Sequence, residues 1–120
     1  MLPIGNIVQM LGFVVLMSAG QILFKKAALS TTTLNSFDGL ISLFTNLWFW
    51  LAIILYGTGT LLWIVILQNV KLSIAYPMSA MAFVLVPLAA SYFFGESLSP
   101  SYAVGVMLLI SGIAVIALKA

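Results

Sequence analysis

Four long apolar stretches dominate this sequence, and none of them contains an acidic residue. A helix that crosses the hydrocarbon core of a bilayer needs about 20 predominantly apolar residues, and each stretch is long enough to cross once. Charged residues make up 5% of the chain, against roughly 25% in soluble domains, so they could not cover a water-facing surface. The sequence therefore predicts an all-α membrane protein, a compact bundle of four transmembrane helices at about 4–26, 47–68, 72–94 and 100–118.

The whole chain, 1–120, is expected to form a single transmembrane domain with one long polar connection, from Ala28 to Asn46. Within this connection, large apolar residues recur at the spacing of one helical face: Phe37, Leu40, Ile41 and Phe44. A short helix at the membrane surface, at about 36–46 and capped by Asn35 or Ser36, fits this pattern. A plain loop fits it equally well.

The composition argues against covalent chemistry. Cysteine and histidine are absent, which removes thiolate ligands and the commonest general base and metal ligand. No pairing of a nucleophile with a base and no glycine-rich phosphate loop is present. Four lysines against two acidic residues are too few to indicate nucleic acid as a partner. We therefore expect neither an enzyme nor a bound metal or cofactor.

Neutral polar and aromatic residues form stripes on three of the spans. Ser18, Gln21 and Lys25 share one face of the first span, because they stand at i, i+3 and i+7. The stripes of the second and third spans are Tyr56, Thr60 and Trp63, and Tyr76, Ser79, Phe83 and Pro87. If these faces meet, they line a cavity that suits a ligand with a polyhydroxyl or phosphate head and an apolar body. The alternative is that Ser, Thr and Gln bond across helices, each contributing about 1 kcal/mol or less.

No acidic residue lies within a predicted span, since Asp38 and Glu96 both fall in connections. A proton- or cation-coupled pump normally holds a carboxylate in the membrane, where such residues are costly and mark function. Its absence argues against driven export of organic cations. Pro77 and Pro87 fall inside the third span, and we expect them to bend or loosen it because proline lacks a backbone donor.

Small residues indicate where helices meet. Gly105 and Gly112 lie seven residues apart on the last span, and close approach at glycine drives helix packing in lipid. We therefore expect a dimer through this span. The lysines divide evenly, with Lys25 and Lys26 on one side of the membrane and Lys71 and Lys119 on the other. Without a positive-inside bias, either the chain pairs antiparallel with itself or a partner fixes its orientation.

Three blocks resemble the small four-helix members of the drug/metabolite transporter superfamily, which includes EamA-like and small multidrug resistance proteins. The blocks are SAGQILFKKA from Ser18, LQNVKLSIAYPMSAMAFV from Leu67 and GESLSPSYAVGVMLLISGIAVI from Gly95. They look most similar to the branch of aminoarabinose-phosphoundecaprenol flippase subunits, and they leave out mainly the stretch 28–46. The small multidrug resistance branch carries an essential glutamate in its first helix where this chain has Met17.

The resemblance implies an inner-membrane flippase, or a subunit of one, for a glycosylated polyprenyl phosphate used in lipopolysaccharide modification. The partner would be an identical chain or a related four-helix subunit. The alternatives are a multidrug-type exporter of organic cations or polyamines, and an accessory subunit that does not transport. For the flippase we expect Lys25 to pair with phosphate, Lys26 to contribute less, Trp63 to form a cavity wall, and a polar set to contact the head group: Ser18, Gln21, Tyr76 and Ser79.

Overall fold

The computed structural model describes residues 3–118, and this part of the chain is helical with short connections. Its helices are α1 (Ile4–Ser30), α2 (Phe37–Phe44), α3 (Leu47–Leu67), α4 (Leu72–Ser79), α5 (Ala82–Phe94) and α6 (Pro100–Leu118). Helices α4 and α5 are two halves of one span, so the described residues contain four helices long and apolar enough to cross a membrane. The prediction of an all-α protein with four transmembrane helices is confirmed. Lys119 lies outside the described residues.

Helix α1 continues beyond the two lysines and ends at Ser30. The backbone leaves the helical region at Thr31, where φ is −102° and ψ is 156°. The Ser30 hydroxyl donates to the carbonyl of Lys26 at 2.7 Å, and the Thr31 hydroxyl donates to that of Ala28 at 3.4 Å. The carbonyl of Ala28 belongs to the last helical turn, where the helix itself leaves carbonyls without partners. Lys25 and Lys26 therefore project from a regular helix.

The connection between the first two spans contains the short helix α2. The hydroxyl of Ser36 accepts a hydrogen bond from the backbone N–H of Gly39 at 3.1 Å, which caps the first turn. A side chain at Gly39 would collide with the backbone of Thr33, so the tight turn before α2 requires glycine. All the residues of the predicted apolar face are exposed: Phe37, Leu40, Ile41 and Phe44.

Helices α1 and α3 form an antiparallel hairpin that supplies most of the packing. Gly20 lies against the ring of Tyr56, and Gly59 lies against the side chain of Met17. At the other end of the hairpin the buried cluster of Met10, Ile66, Val70 and Ala75 joins α1 and α3 to α4. Glycine at these contacts lets the helices approach closely, as expected where lipid supplies no hydrophobic drive.

The end of α1, helix α2 and the start of α3 are tied together by side-chain hydrogen bonds. The Asn46 side chain accepts from the N–H of Trp48 at 2.9 Å and donates to the Ser30 hydroxyl at 2.7 Å. The indole N–H of Trp50 donates to the carbonyl of Phe44 at 2.7 Å. One asparagine thus caps α3 and joins it to the end of α1.

The third span is broken between α4 and α5, just after Pro77. The Ser79 hydroxyl donates to the carbonyl of Tyr76 at 2.5 Å, and the N–H of Ala80 bonds to the carbonyl of Pro77 at 3.0 Å instead. This i to i−3 pattern continues through Met81 and tightens the chain into a 3₁₀ turn. A serine that competes for a carbonyl bends a helix in this way, and the expected bend lies at this turn.

Pro87 leaves a gap in α5 that a residue of α6 fills. Proline has no N–H, so the carbonyl of Phe83 loses its partner within the helix. The hydroxyl of Tyr102 donates to the carbonyl of Val84 at 3.0 Å and, more weakly, to that of Phe83 at 3.4 Å. In hydrocarbon a carbonyl without a partner is costly. Tyr102 therefore supplies a hydrogen-bond donor to the third span beside Pro87.

We expect Tyr102→Phe to destabilise the protein by about 1 kcal/mol, the net contribution of such a bond. The measurement is unfolding by SDS in mixed micelles, followed by circular dichroism. The matched control is Tyr92→Phe, because Tyr92 is 84% exposed on α5 and its change should leave the midpoint where it is. Equal midpoints for the two variants would contradict the role given to Tyr102.

Helix α6 is peripheral in the single chain. It packs mainly against α4, and Ile113 is its buried residue. A Cβ atom added at Gly105 or Gly112 would meet nothing within 4 Å. Together with Pro77 and Ala80 these glycines border a shallow recess of about 440 Å³. The glycine face of α6 is therefore open within the chain.

Candidate functional site

A cavity of about 690 Å³ lies between α1, α3 and the third span. We call it the central cavity. Its walls come from all three spans. The lining residues are Phe13, Val14, Met17, Gln21, Tyr56, Tyr76, Pro77, Ser79, Ala80, Ala82, Phe83, Val86 and Pro87.

The polar groups of the central cavity are neutral. The amide nitrogen of Gln21 donates to the hydroxyl of Tyr56, which positions both side chains. Tyr76 is 69% exposed, and Ser79 turns its hydroxyl toward the backbone of its own helix. The Gln21 carbonyl and the two tyrosine hydroxyls can each form further hydrogen bonds. The cavity can therefore bind a hydroxyl- or amine-bearing group within an otherwise apolar wall.

No charged residue lines the central cavity within residues 3–118. Met17 lies in its wall. No cluster of acidic residues that could hold a metal ion occurs in the same described range. A cation would find aromatic faces there but no carboxylate to pair with.

The two lysines of α1 have different partners. The ammonium of Lys25 lies 3.6 Å from a carboxylate oxygen of Glu96, and both side chains are about half exposed. The ammonium of Lys26 lies 4.5 Å from the centroid of the Trp48 ring, a cation–π contact that leaves its charge uncompensated. The structure thus gives the lysine of the Gln21 face a carboxylate partner, whereas its neighbour Lys26 contacts an aromatic ring.

A second recess lies between α1 and α5, and we call it the α1–α5 groove. It has a volume of about 440 Å³ and shares no lining residue with the central cavity. Ser18 lies in it, buried, with its hydroxyl donating to the carbonyl of Val14 at 2.7 Å. The full lining is Val15, Ser18, Ala19, Ile22, Leu23, Lys26, Leu85, Ala89 and Phe93.

The structure brings together part of the predicted site. Gln21, Tyr76 and Ser79 meet in the central cavity. Ser18 and Lys26 belong to the α1–α5 groove. Trp63 stacks on Phe13 with ring centroids 4.7 Å apart and lines a smaller neighbouring recess with Tyr76. Lys25 lies apart from both main recesses, beside Glu96.

Two residues of this region were not expected from the sequence in these roles. Tyr56 was placed on a polar face but not among the head-group contacts, although Gly20 beside Gln21 leaves room for a ring there. Glu96 was assigned only to a connection, and no local pattern signals its pairing with Lys25 across 71 positions, from 25 to 96.

Curated proteins similar to this chain share one name, "probable 4-amino-4-deoxy-L-arabinose-phosphoundecaprenol flippase subunit ArnE". The protein from Pseudomonas savastanoi pv. phaseolicola is 37% identical over 79 residues, 66% of this chain and 69% of the relative. That from Pseudomonas paraeruginosa is 36% identical over 83 residues, 69% of this chain and 72% of the relative. That from Enterobacter sp. is 41% identical over 70 residues, 57% and 65% of the two chains. No protein-family model and no solved structure matches the chain.

Proposed function

The chain belongs to the ArnE family of flippase subunits, and from this premise we propose that it moves an aminosugar-phosphoundecaprenol lipid across the bacterial inner membrane. The protein itself is a multi-pass protein of that membrane. Its role is to lower the cost of carrying a polar head through hydrocarbon, where an unpaired charge costs several kcal/mol. Transport of this kind breaks no covalent bond, and we propose no catalytic chemistry for the chain.

The observation that carries the proposal is the neutral polar patch inside the central cavity. Gln21 and Tyr56 are joined by a hydrogen bond, and Tyr76, from the third span, lines the same cavity and is 69% exposed. An aminosugar offers hydroxyl and amine groups at several positions of its ring. Amide and hydroxyl side chains bond to such groups, whereas the apolar wall at Phe83 and Val86 suits the lipid around them. The head would cross while the polyprenyl tail stays in the bilayer.

The transport itself can be followed through the amine of the sugar. Purified protein is reconstituted into vesicles that contain the aminoarabinose lipid in both leaflets, alone and with a related four-helix subunit. An amine-reactive reagent that does not cross the membrane labels the lipid of the outer leaflet. Flipping is expected to let the label reach nearly all of the lipid, whereas vesicles without protein stop at about half. Labelling that stops at half with every partner combination would reject the proposal.

We expect Gln21→Leu to slow flipping about tenfold, because one lost polar contact to the head corresponds to roughly 1.4 kcal/mol. The matched control is Gln9→Leu on the same helix. The side-chain oxygen of Gln9 is buried and has no hydrogen-bond partner within the described residues, and Gln9 does not line the central cavity. Its replacement should leave the labelling rate unchanged. A rate for Gln21→Leu equal to that of the control would remove Gln21 from the site.

The rival functions make different predictions in the same vesicles. A multidrug-type exporter should take up quaternary ammonium ions in a pH-dependent manner, and the central cavity offers no carboxylate for such exchange. A non-transporting accessory subunit should be inert alone and should change only the activity of its partner. We favour the flippase because the polar groups of the cavity are neutral.

We further propose that the working unit is a pair of four-helix chains joined through α6. The pair is either a homodimer, parallel or antiparallel, or a heterodimer with a related subunit. A single bundle leaves Gly105 and Gly112 open, and a second bundle packed there would extend the recess that Pro77 and Ala80 border.

Helix α2 would lie in the headgroup layer, with its exposed apolar face toward the acyl chains.

A further inference from the structure

The α1–α5 groove has the form of a site for a lipid chain. Its residues on α1 recur at i, i+3, i+4, i+7, i+8 and i+11 from Val15 to Lys26, so they form one continuous stripe. Eleven steps of 1.5 Å give the groove a length of about 16 Å along the helix, half of a hydrocarbon core of about 30 Å. The opposite wall is also apolar and consists of Leu85, Ala89 and Phe93.

Only the end of this groove is charged. Lys26 is its one ionised lining residue among those that the structure describes, and it stands at the membrane-boundary end of the stripe. Ser18, the other polar member, donates its hydroxyl to its own helix. This lining suits a hydrocarbon chain with a negative group at one end, the chain pointing toward the bilayer centre.

Lys26 is better placed than Lys25 to meet that negative group. Lys25 already lies 3.6 Å from the Glu96 carboxylate, and an anion would have to displace this partner. No carboxylate of the described residues pairs with Lys26, while the Trp48 ring holds its ammonium in position. An aromatic face attracts a cation without neutralising it. The available positive charge at this end of α1 is thus at Lys26.

We infer that the α1–α5 groove is the docking site of the polyprenyl phosphate carrier, with Lys26 binding the phosphate and the groove holding the first isoprene units. The inference rests on the proposed function and assigns to it a lipid site separate from the central cavity. It commits to a polyprenyl phosphate as the occupant. Lysine suits the role because its ammonium is a compact charge on a flexible stem.

The test uses undecaprenyl phosphate without sugar, so that binding is measured apart from transport. Purified full-length protein in detergent is titrated with this lipid and with undecaprenol, which lacks the phosphate, and binding is followed by native mass spectrometry. We expect wild type to prefer the phosphorylated lipid by about tenfold or more, as a charge-assisted contact allows. Lys26→Gln should abolish this preference, and Lys26→Arg should keep most of it.

Two comparisons separate the groove from general surface charge. Lys25→Gln removes a lysine one position away and should retain the preference for phosphate. Ala89→Phe fills the groove and should weaken binding of both lipids, whereas Ala114→Phe, at an exposed position of α6 outside the groove, should not. Retained preference in Lys26→Gln, or equal losses in the two lysine variants, would overturn the inference.

A competition experiment tests whether the α1–α5 groove selects undecaprenyl phosphate over other phospholipids. Phosphatidylglycerol carries a phosphate but two short acyl chains, and it should displace undecaprenyl phosphate poorly. Equal displacement would make the groove a general phospholipid site and would overturn the assignment. Because no aminosugar is present, failure here leaves the flipping assay free to support the proposed function. Conversely, if the protein bound undecaprenyl phosphate but did not flip the aminosugar lipid, the proposed function would be rejected and the assignment of the α1–α5 groove would stand.

Discussion

Replacing Gly20 with alanine is expected to slow flipping on the order of tenfold to hundredfold, since crowding a packed contact costs about 1–3 kcal/mol. A Cβ atom at this buried position would lie 2.5 Å and 2.7 Å from two carbons of the Tyr56 ring. The ring cannot retreat freely, because Phe24 stands beside it with centroids 5.1 Å apart. Its displacement would break the bond between Tyr56 and Gln21, and the polar patch of the central cavity would be lost.

The matched control for Gly20→Ala is Gly57→Ala. A Cβ atom at Gly57 meets nothing within 4 Å, so this change should leave both the labelling rate and the SDS unfolding midpoint unaltered. Gly20→Ala should lower both. If Gly20→Ala flipped the lipid at the wild-type rate, the Gln21–Tyr56 pair would have no part in transport, whatever the effect on stability.

The second large effect is expected from leucine at both Gly105 and Gly112. Neither position has a neighbour within 4 Å in the single chain, so the fold should tolerate both side chains. A partner helix packed on this face would be pushed away, and we expect the dissociation constant of the pair to rise on the order of tenfold to hundredfold, from about 1–3 kcal/mol of crowding. The measurement is the monomer fraction in detergent as a function of protein concentration.

Gly57→Leu serves as the control for this pair of substitutions, because it also adds a large side chain at an open helical position, on α3. It should leave the monomer fraction as in wild type. If the pair is a heterodimer, co-purification with a related four-helix subunit should decrease in the double leucine variant and stay unchanged in Gly57→Leu. An unchanged monomer fraction in the double leucine variant would move the interface away from the glycine face of α6.

The spans could be predicted because hydropathy and length determine them directly. Some helix ends were also readable, since Pro100 opens α6 and Ser36 caps α2. The position of the break in the third span could not be predicted. It depends on the Ser79 hydroxyl taking the Tyr76 carbonyl, a competition between two hydrogen bonds that the prolines alone do not decide. The bonds from the Tyr102 hydroxyl to the carbonyls of Val84 and Phe83 join the fourth span to the third, and no local sequence pattern indicates them.

The site was predictable to the extent that helical spacing groups residues on one face. Gln21, Tyr76 and Ser79 follow from that spacing and meet in the central cavity. Helical spacing could not show which of the two lysines is available to bind an anion. Lys25 shares the face of Gln21, but its ammonium is paired with the carboxylate of Glu96. Which charge remains available depends on the α5–α6 connection reaching the end of α1, and that is a property of the folded chain.

The order in which the helices pack has a consequence for biogenesis. The hairpin of α1 and α3 carries its own side-chain ties, the Asn46 cap and the bond from Asn46 to Ser30, and all of these residues precede the third span in the sequence. This half can therefore enter the bilayer and fold as one insertion unit. Helix α6 follows the other described helices in the sequence and is mostly exposed in the single chain, with Ile113 as its buried residue. We expect α6 to insert into the bilayer before it packs stably against another helix. Assembly with another subunit would then complete the packing of α6.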